Sequence, residues 1–236
     1  MTAAENRWRS GRKKSDCHLK KIESCLGINK KLQNDSAASS LLTTSRGLDD
    51  LCINTHEMIK CLKSHLKICG TMIHRDLFNL YSEEFIKSFD QVCQAGELRT
   101  DFLKESPCIV DKVLLTKNYK TSCNQPFLMA LNQMRETQSM DDRMDMTCCS
   151  YNKWRHCMHE KIIKECGQPA KLAMDDFVKF TSRDLANMVC PNDTFDPSSK
   201  VCQSLKAPRI DFDQMKGDNI ITKYLLSQYG FLFHPT

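Results

Sequence analysis

Fourteen cysteines in a chain of 236 residues limit what this sequence can fold into more than any other feature it carries. They stand at Cys17, Cys25, Cys52, Cys61, Cys69, Cys93, Cys108, Cys123, Cys148, Cys149, Cys157, Cys166, Cys190 and Cys202. Thiols at this density in a reducing compartment usually serve metals, and metal ligands come as close pairs with roughly two to four residues between them. Apart from the adjacent Cys148 and Cys149, the nearest neighbours here (Cys17 and Cys25, Cys61 and Cys69, Cys149 and Cys157) are eight positions apart. That spacing suits bridges between separate helices. All fourteen are therefore expected as disulfides, and the chain is expected to be secreted and extracellular.

The spacing also repeats. Cys52, Cys61, Cys69 and Cys93 are separated by 9, 8 and 24 positions, and Cys149, Cys157, Cys166 and Cys190 by 8, 9 and 24. At an offset of 97, Lys67-Ile68-Cys69-Gly70 falls on Lys164-Glu165-Cys166-Gly167, and Val92-Cys93 on Val189-Cys190. A fixed period of this kind marks two copies of one unit. Each copy reads as two helices. Leu48, Leu51, Cys52, Thr55, Met58, Ile59, Leu62, Leu66 and Cys69 recur at three and four residues, making one apolar stripe. Gly70 is placed to end that helix in the left-handed conformation. A second apolar stripe runs through Ile73, Leu77, Leu80, Tyr81 and Phe85 to Cys93.

In the second copy the stripe is Trp154, Cys157, Met158, Ile162 and Cys166, ended by Gly167, with Pro169 in the first turn of the next helix. Ala173, Met174, Phe177, Phe180, Leu185, Met188 and Val189 are then expected to face the core, and Pro191 to stop the run. Residues 108–119 and 127–149 also read as helical. No segment alternates long enough to be a convincing strand. The expected fold is all-α: disulfide-stapled helical hairpins, two related units packed together.

Antiparallel hairpins bring residues equidistant from the turn together. Cys149 is thus expected to reach Cys190, and Cys52 to reach Cys93, each closing a 41-residue loop worth about 4 kcal/mol of chain entropy. Cys148 and Cys149, being adjacent, are expected to take two different partners and tie three chain segments at one point.

The formal net charge of +5 is unevenly placed. Residues 1–31 carry nine Lys and Arg against three acids, and the rest carries 25 against 26. A nucleic-acid binder carries its basic patch on the folded domain, so the terminal stretch reads as a solvated basic tail. Within it, Arg9 to Lys14 has the composition of a processing site for a basic-directed protease. Residues 1–17 hold no apolar core of about seven residues, the mark of a secretory leader, so secretion is expected although no signal peptide stands in this chain. Asn34-Asp35-Ser36 and Asn192-Asp193-Thr194 are N-glycosylation acceptors in loop-like segments, which makes Asn34 and Asn192 candidate glycan sites. No apolar run is long enough to span a membrane.

Candidate chemistry is thin. Cys148-Cys149 followed by His156 invites comparison with the secreted phospholipases A2, but Ser150 to Lys153 hold no His-Asp and no glycine-rich calcium loop precedes them. His156 and His159 share a helical face within reach of one ion, yet Cys157 points elsewhere; the pair reads as solvent-facing. Asp141-Asp142 and Asp175-Asp176 are adjacent on helices, pointing about 100° apart, and so read as solvated faces rather than acid–base pairs. Phosphate loops, nucleophile elbows and dinucleotide fingerprints are lacking. Met174, Phe177 and Phe180 could line a cavity for an apolar ligand, but at helical spacing they read first as core. The paired cysteines three residues apart of insect odorant carriers are missing. No catalytic, cofactor-binding or metal residues are assigned, no cofactor is expected, and the chain is expected not to be an enzyme. Ile220, Ile221, Tyr224 and Leu225 through Phe233 read as a short amphipathic helix packing on the domain.

The run Cys148-Cys149-Ser150-Tyr151, through Cys157 and Glu165-Cys166-Gly167, to Val189-Cys190-Pro191 and Cys202 with Leu205 and Pro208, resembles the C-terminal half of secreted cysteine-rich proteins of arthropods. These are related to a nematode and arthropod domain of unknown function. Cys17, Cys25, the Cys52 to Cys69 series, and Phe102-Leu103-Lys104 to Ser106-Pro107-Cys108 resemble their N-terminal half. The resemblance covers roughly residues 17–230 and implies a secreted, helical, disulfide-bonded protein without known enzymatic activity. It carries no catalytic or ligand-binding residues.

The organisation expected is a basic tail over 1–16, an N-terminal helical unit over 17–122, a C-terminal helical unit over 123–205 and a tail over 206–236. The expected role is extracellular binding or a structural one, the partner being an extracellular protein; the alternative is a carrier of a small apolar ligand. Nucleic acid is not an expected partner.

Overall fold

The structure is a computed structural model and describes residues 17, 19–29, 34–133, 139–182 and 188–205. The basic tail with its Arg9 to Lys14 run, Leu185, Pro208 and the amphipathic reading of 220–233 lie outside the described residues. Among the described residues the regular structure is entirely helical. The elements are α1 (Leu19–Leu26), α2 (Asp35–Thr43), α3 (Ser45–Cys69), α4 (Met72–Cys93), α5 (Glu97–Pro107), α6 (Lys117–Tyr119), α7 (Gln125–Gln133), α8 (Met140–Cys166), α9 (Gln168–Ser182) and α10 (Lys200–Ser204). Wider π turns over Cys108–Leu114 and Lys120–Asn124 follow α5 and α6.

The starts are written in the sequence. Asn34, Thr44, Thr71, Thr116, Ser139 and Ser199 precede α2, α3, α4, α6, α8 and α10, and each side-chain oxygen accepts from the backbone N–H three residues on. Each cap contributes about 1 kcal/mol. Inside the 97–114 run, Pro107 removes an N–H, and the Ser106 hydroxyl donates to the Leu103 carbonyl at 3.4 Å where that bond would have been. The backbone widens to the π turn immediately afterwards. The helical stretch expected over 108–119 is thus a π turn, Cys108–Leu114, separated at Leu115 and Thr116 from α6.

All fourteen cysteines are bridged. The pairs are Cys17–Cys69, Cys25–Cys61 and Cys52–Cys93, then Cys108–Cys166, Cys123–Cys157 and Cys148–Cys190, with Cys149–Cys202 besides. Counted along each set of six, the first joins the fifth, the second the fourth and the third the sixth, in both halves. The repeat read from spacing is thus a repeat of covalent plan. Cys52 reaches Cys93 as expected. The bridge expected from Cys149 to Cys190 is corrected: Cys148 takes Cys190, and Cys149 takes Cys202. Neighbours on a helix diverge by about 100°, so Cys148 faces the segment after α9 while Cys149 faces α10, and counting from the turn cannot separate them. No bridge crosses between 17–93 and 108–205, so Cys123 is bonded within the second half and Cys108, ahead of the boundary read at 122, is bonded there too.

Packing ignores that division. α9 lies against both α4 and α5, and α2 against α3 and α5. One cluster runs through Leu42, Leu48, Met58, Phe85, Phe102, Ile109, Tyr119, Trp154, Met174 and Phe177. Phe102 of α5 stacks on Phe177 of α9 with centroids 4.0 Å apart. Lys120, almost fully buried, donates to both carboxylate oxygens of Asp35 at 2.7 Å. Arg99 donates to the Cys93 and Ser45 carbonyls and to Asp49. Lys120 thus joins the two covalent halves, and Arg99 ties α5 back to α3 and the end of α4. Gly47 is fixed by crowding: a Cβ there would lie 2.1 Å from the Ser40 carbonyl oxygen, so only glycine lets α3 fold back on α2.

Candidate functional site

The unusual feature of the surface is the far end of the α3–α4 hairpin. Along α3 the stripe Leu48, Leu51, Cys52, Thr55, Met58, Ile59 and Leu62 is buried. Beyond Leu62 no residue is fully buried until Ser82. The apolar spacing nevertheless continues through the turn. Ile68, Met72, Ile73, Leu77 and Leu80 are between 61 and 67 % exposed. This corrects the expectation that the second stripe is core along its length: only its later part, from Phe85, is buried, together with Phe89 and Val92. The reason is reach. The buried residues of α4 are Ser82, Phe85, Phe89 and Val92, all in its C-terminal half, and the first turns run past the core. Phe78 and Tyr81 mark its edge, Tyr81 stacking on Phe85.

The corner is made by Gly70 and Thr71. Gly70 is extended, φ −78° and ψ 149°, not left-handed as expected. It is glycine because a Cβ would come within 2.7 Å of the Leu66 carbonyl oxygen, to which its own N–H donates at 2.8 Å. Gly167, at the matching corner of the second hairpin, does take positive φ, 87°. The α3–α4 end is also pinned covalently, because Cys17 bridges Cys69 at a Cα separation of 5.4 Å.

The groove between α3 and α4 carries charges of both signs, Lys60, Lys63 and Lys87 with Glu83. From Lys60 to Leu80 the chain carries Lys60, Lys63, Lys67 and Arg75 against one acid, Asp76. Lys60 and Lys63 line an open groove of about 600 Å³ between α3 and α4, floored by Ile59 and Ile86. Lower on its rim Lys87 pairs with Glu84 at 2.9 Å, and His56 with Asp90 at 2.8 Å.

The titratable residues singled out in the sequence are used structurally. His159 is not solvent-facing as expected: its Nε2 lies 2.6 Å from Asp175 Oδ1, joining α8 to α9. Lys171 Nζ reaches the other oxygen at 2.5 Å, and Arg155 stands 3.8 Å away. Burial opposes ionisation of Asp175, but hydrogen bonds and charge from His159 and Lys171 outweigh it and hold the carboxyl below its ordinary range. His156 and Asp176 are exposed, and Cys157 is bridged to Cys123. Asp141 and Asp142 sit in the first turn of α8, where their negative charge complements the positive end of the helix dipole; the Asp142 N–H donates to the Ser139 hydroxyl cap. Asp196 is held low by hydrogen bonds from the Ser198 hydroxyl and N–H. Among the described residues no group of three or more His, Cys, Asp and Glu is placed to hold a metal ion, and no helix is long and apolar enough to cross a membrane.

No family model, curated protein or solved structure matches this chain.

Of the apolar residues proposed as cavity lining, Met174 and Phe177 are filled core and Phe180 packs at its edge. Met188 and Val189, expected inside, are exposed at 75 and 45 %, beside the buried Cys190 that carries the bridge to Cys148. A half-open cavity of about 140 Å³ does lie between α7 and α8, lined by Phe127, Ala130, Met146, Trp154 and Leu205. Beside it the Trp154 indole N–H points at both the Tyr119 hydroxyl and the Asn124 carbonyl oxygen, each at 3.1 Å. Burial drives the Tyr119 hydroxyl pKa far up, with the Trp154 bond opposing, so it stays a neutral phenol. Nothing in the spacing signalled that network, nor Gly47, Arg99 or Lys120. Asn34 and Asn192 are both exposed, and the Asn34 side-chain oxygen caps α2.

Proposed function

We propose that this chain is an extracellular protein that acts by binding through its surface, without catalysis, and that the α3–α4 end is the working face. The observation that carries the reading is the exposed stripe Ile73, Leu77 and Leu80, continued by Ile68 and Met72. Isolated apolar residues on a surface need no explanation, but a contiguous row does. Seven bridges support an oxidising compartment, and the resemblance to secreted cysteine-rich arthropod proteins points the same way. The carrier alternative is weaker, since the half-open α7–α8 cavity of about 140 Å³ falls below the roughly 300 Å³ at which small-molecule pockets begin, and the larger groove of about 600 Å³ between α3 and α4 is open to solvent rather than enclosed.

The test is retention on living cells. Labelled wild-type protein is expected to stay bound through washing, and the I73S/L77S/L80S variant to be released with its melting temperature unchanged. Equal retention of the two would remove this face from the function. A glycosidase shift of material from the native source, lost in N34Q/N192Q, checks the compartment; fully reactive thiols without reduction would contradict it.

A further inference from the structure

We infer that Cys17–Cys69 is a thiol-exchange site, the one bridge of the seven that a small thiolate from outside the chain opens while the fold stays closed, whether or not the α3–α4 end is the working face. Exchange begins when a thiolate reaches a bridged sulfur, so access decides which bridges take part.

Five of the bridges are shut off by burial. Cys25, Cys52, Cys123 and all four cysteines of Cys148–Cys190 and Cys149–Cys202 are between 0 and 7 % exposed. In the sixth, Cys108–Cys166, Cys166 packs against the core and Cys108 Sγ lies 3.6 Å from the Glu165 carbonyl oxygen. Cys17–Cys69 differs from all of these. Cys17 is exposed, Cys69 is half-buried, and neither belongs to the core cluster or packs against it.

Its place in the covalent plan lets it open alone. Cys25–Cys61 lies inside the Cys17–Cys69 loop, eight positions in along each strand. Cys25 and Leu26 of α1 are in the core, and Ile22 packs against it. Just after α1, the Asn29 side-chain nitrogen donates to the Thr55 hydroxyl at 3.4 Å. α1 therefore stays on α3 when the outer bridge breaks. Cys17 stands two positions before Leu19, the start of α1, so it remains tethered beside Cys69 at high effective concentration. The opening is reversible for that reason.

The step conserves the number of disulfides. The incoming thiolate attacks Cys17 Sγ, the Cys17–Cys69 bond breaks as the mixed disulfide forms, and the electron pair leaves on Cys69 Sγ as a thiolate. Attack of Cys69 on the mixed disulfide expels the small thiol and closes the bridge again. No oxidant or reductant beyond the thiol itself enters.

The experiment treats the full oxidised chain, under native conditions, with reduced glutathione, quenches with iodoacetamide and maps the peptides by mass spectrometry. Glutathione is expected on Cys17 and the alkyl group on Cys69, at least about tenfold faster than at any other cysteine. The rate is expected to rise about tenfold from about pH 6 to about pH 7, because only the thiolate attacks. The melting transition is expected to persist, and removal of glutathione before quenching to restore the bridge. A different bridge opening first would overturn the assignment. So would all fourteen cysteines reacting together, or no adduct over a time in which the guanidinium-unfolded chain reacts fully. C17S/C69S is expected to fold and to stay free of adduct over the same period. Reaction of its remaining twelve cysteines as fast as Cys17 reacts in the wild type would show that the outer bridge guards the others, and would overturn the claim that it opens alone.

Discussion

In the second hairpin the helix after the turn is buried at once: Ala170, Ala173, Met174 and Phe177 of α9 are all in the core. In the first, ten residues of α4 pass before Ser82, the first to be buried. The covalent plan of the two is the same, first to fifth, second to fourth, third to sixth. Disulfides therefore set which segments lie together without setting which faces are covered. α9 is covered because it lies against α4 and α5, whereas among the described residues Met72, Ile73, Leu77 and Leu80 at the start of α4 stay exposed. An apolar row kept where packing does not use it is the contrast on which the functional reading stands.

The contrast can be broken from its covalent side. Removing Cys52–Cys93 by C52A/C93A frees a 41-residue loop and is expected to cost about 4 kcal/mol, near 10 °C in melting temperature. C148A/C190A frees a loop of similar size, 42 residues, yet Cys149–Cys202 still holds the same segments through a short path. Its cost is expected to be about 3 kcal/mol. Calorimetry of the two variants compares the halves directly, and a larger loss in the second half would break the comparison.

It can be broken from its packing side with one substitution in each hairpin. Phe177→Ala removes a ring stacked at 4.0 Å on Phe102 and is expected to cost about 3–4 kcal/mol by denaturant unfolding. Leu77→Ala, on the exposed row, is expected to stay within about 0.5 kcal/mol. Between these lies Gly47→Ala, about 2 kcal/mol, because its Cβ meets backbone atoms of α2 that cannot step aside.

A smaller effect sharpens the account of α8 and α9. Asp175 has a folded-state pKa below its ordinary value. Its contribution is therefore complete at neutral pH and disappears as pH falls from the ordinary carboxylate range through the folded value. Asp175→Asn is expected to cost about 1 kcal/mol at neutral pH, since the pair is partly solvated, and nothing once the wild-type carboxyl is protonated. Urea unfolding at the two pH values measures the difference.

Much of this was legible in the sequence, for reasons that differ by element. The repeat showed because two equal hairpins need their cysteines at equal distances, and the buried row of α3 showed because burial and periodicity coincide there. Periodicity failed for Ile73, Leu77 and Leu80 because amphipathic spacing says that a face exists, not that a partner covers it. Gly70 and Gly167 occupy matching positions, yet one is fixed by contact with Leu66 and the other by positive φ. Cys148 and Cys149 could not be told apart because they differ by direction rather than by distance along the chain. Lys120 reaching Asp35 across 85 residues left no local trace.

Carbene footprinting of the free, oxidised protein tests the central contrast most directly, because labelling follows side-chain exposure. The account predicts heavy labelling over Met72 to Leu80 and protection over Ala170 to Phe177. Equal protection of both segments would mean that the start of α4 is covered, and would contradict it.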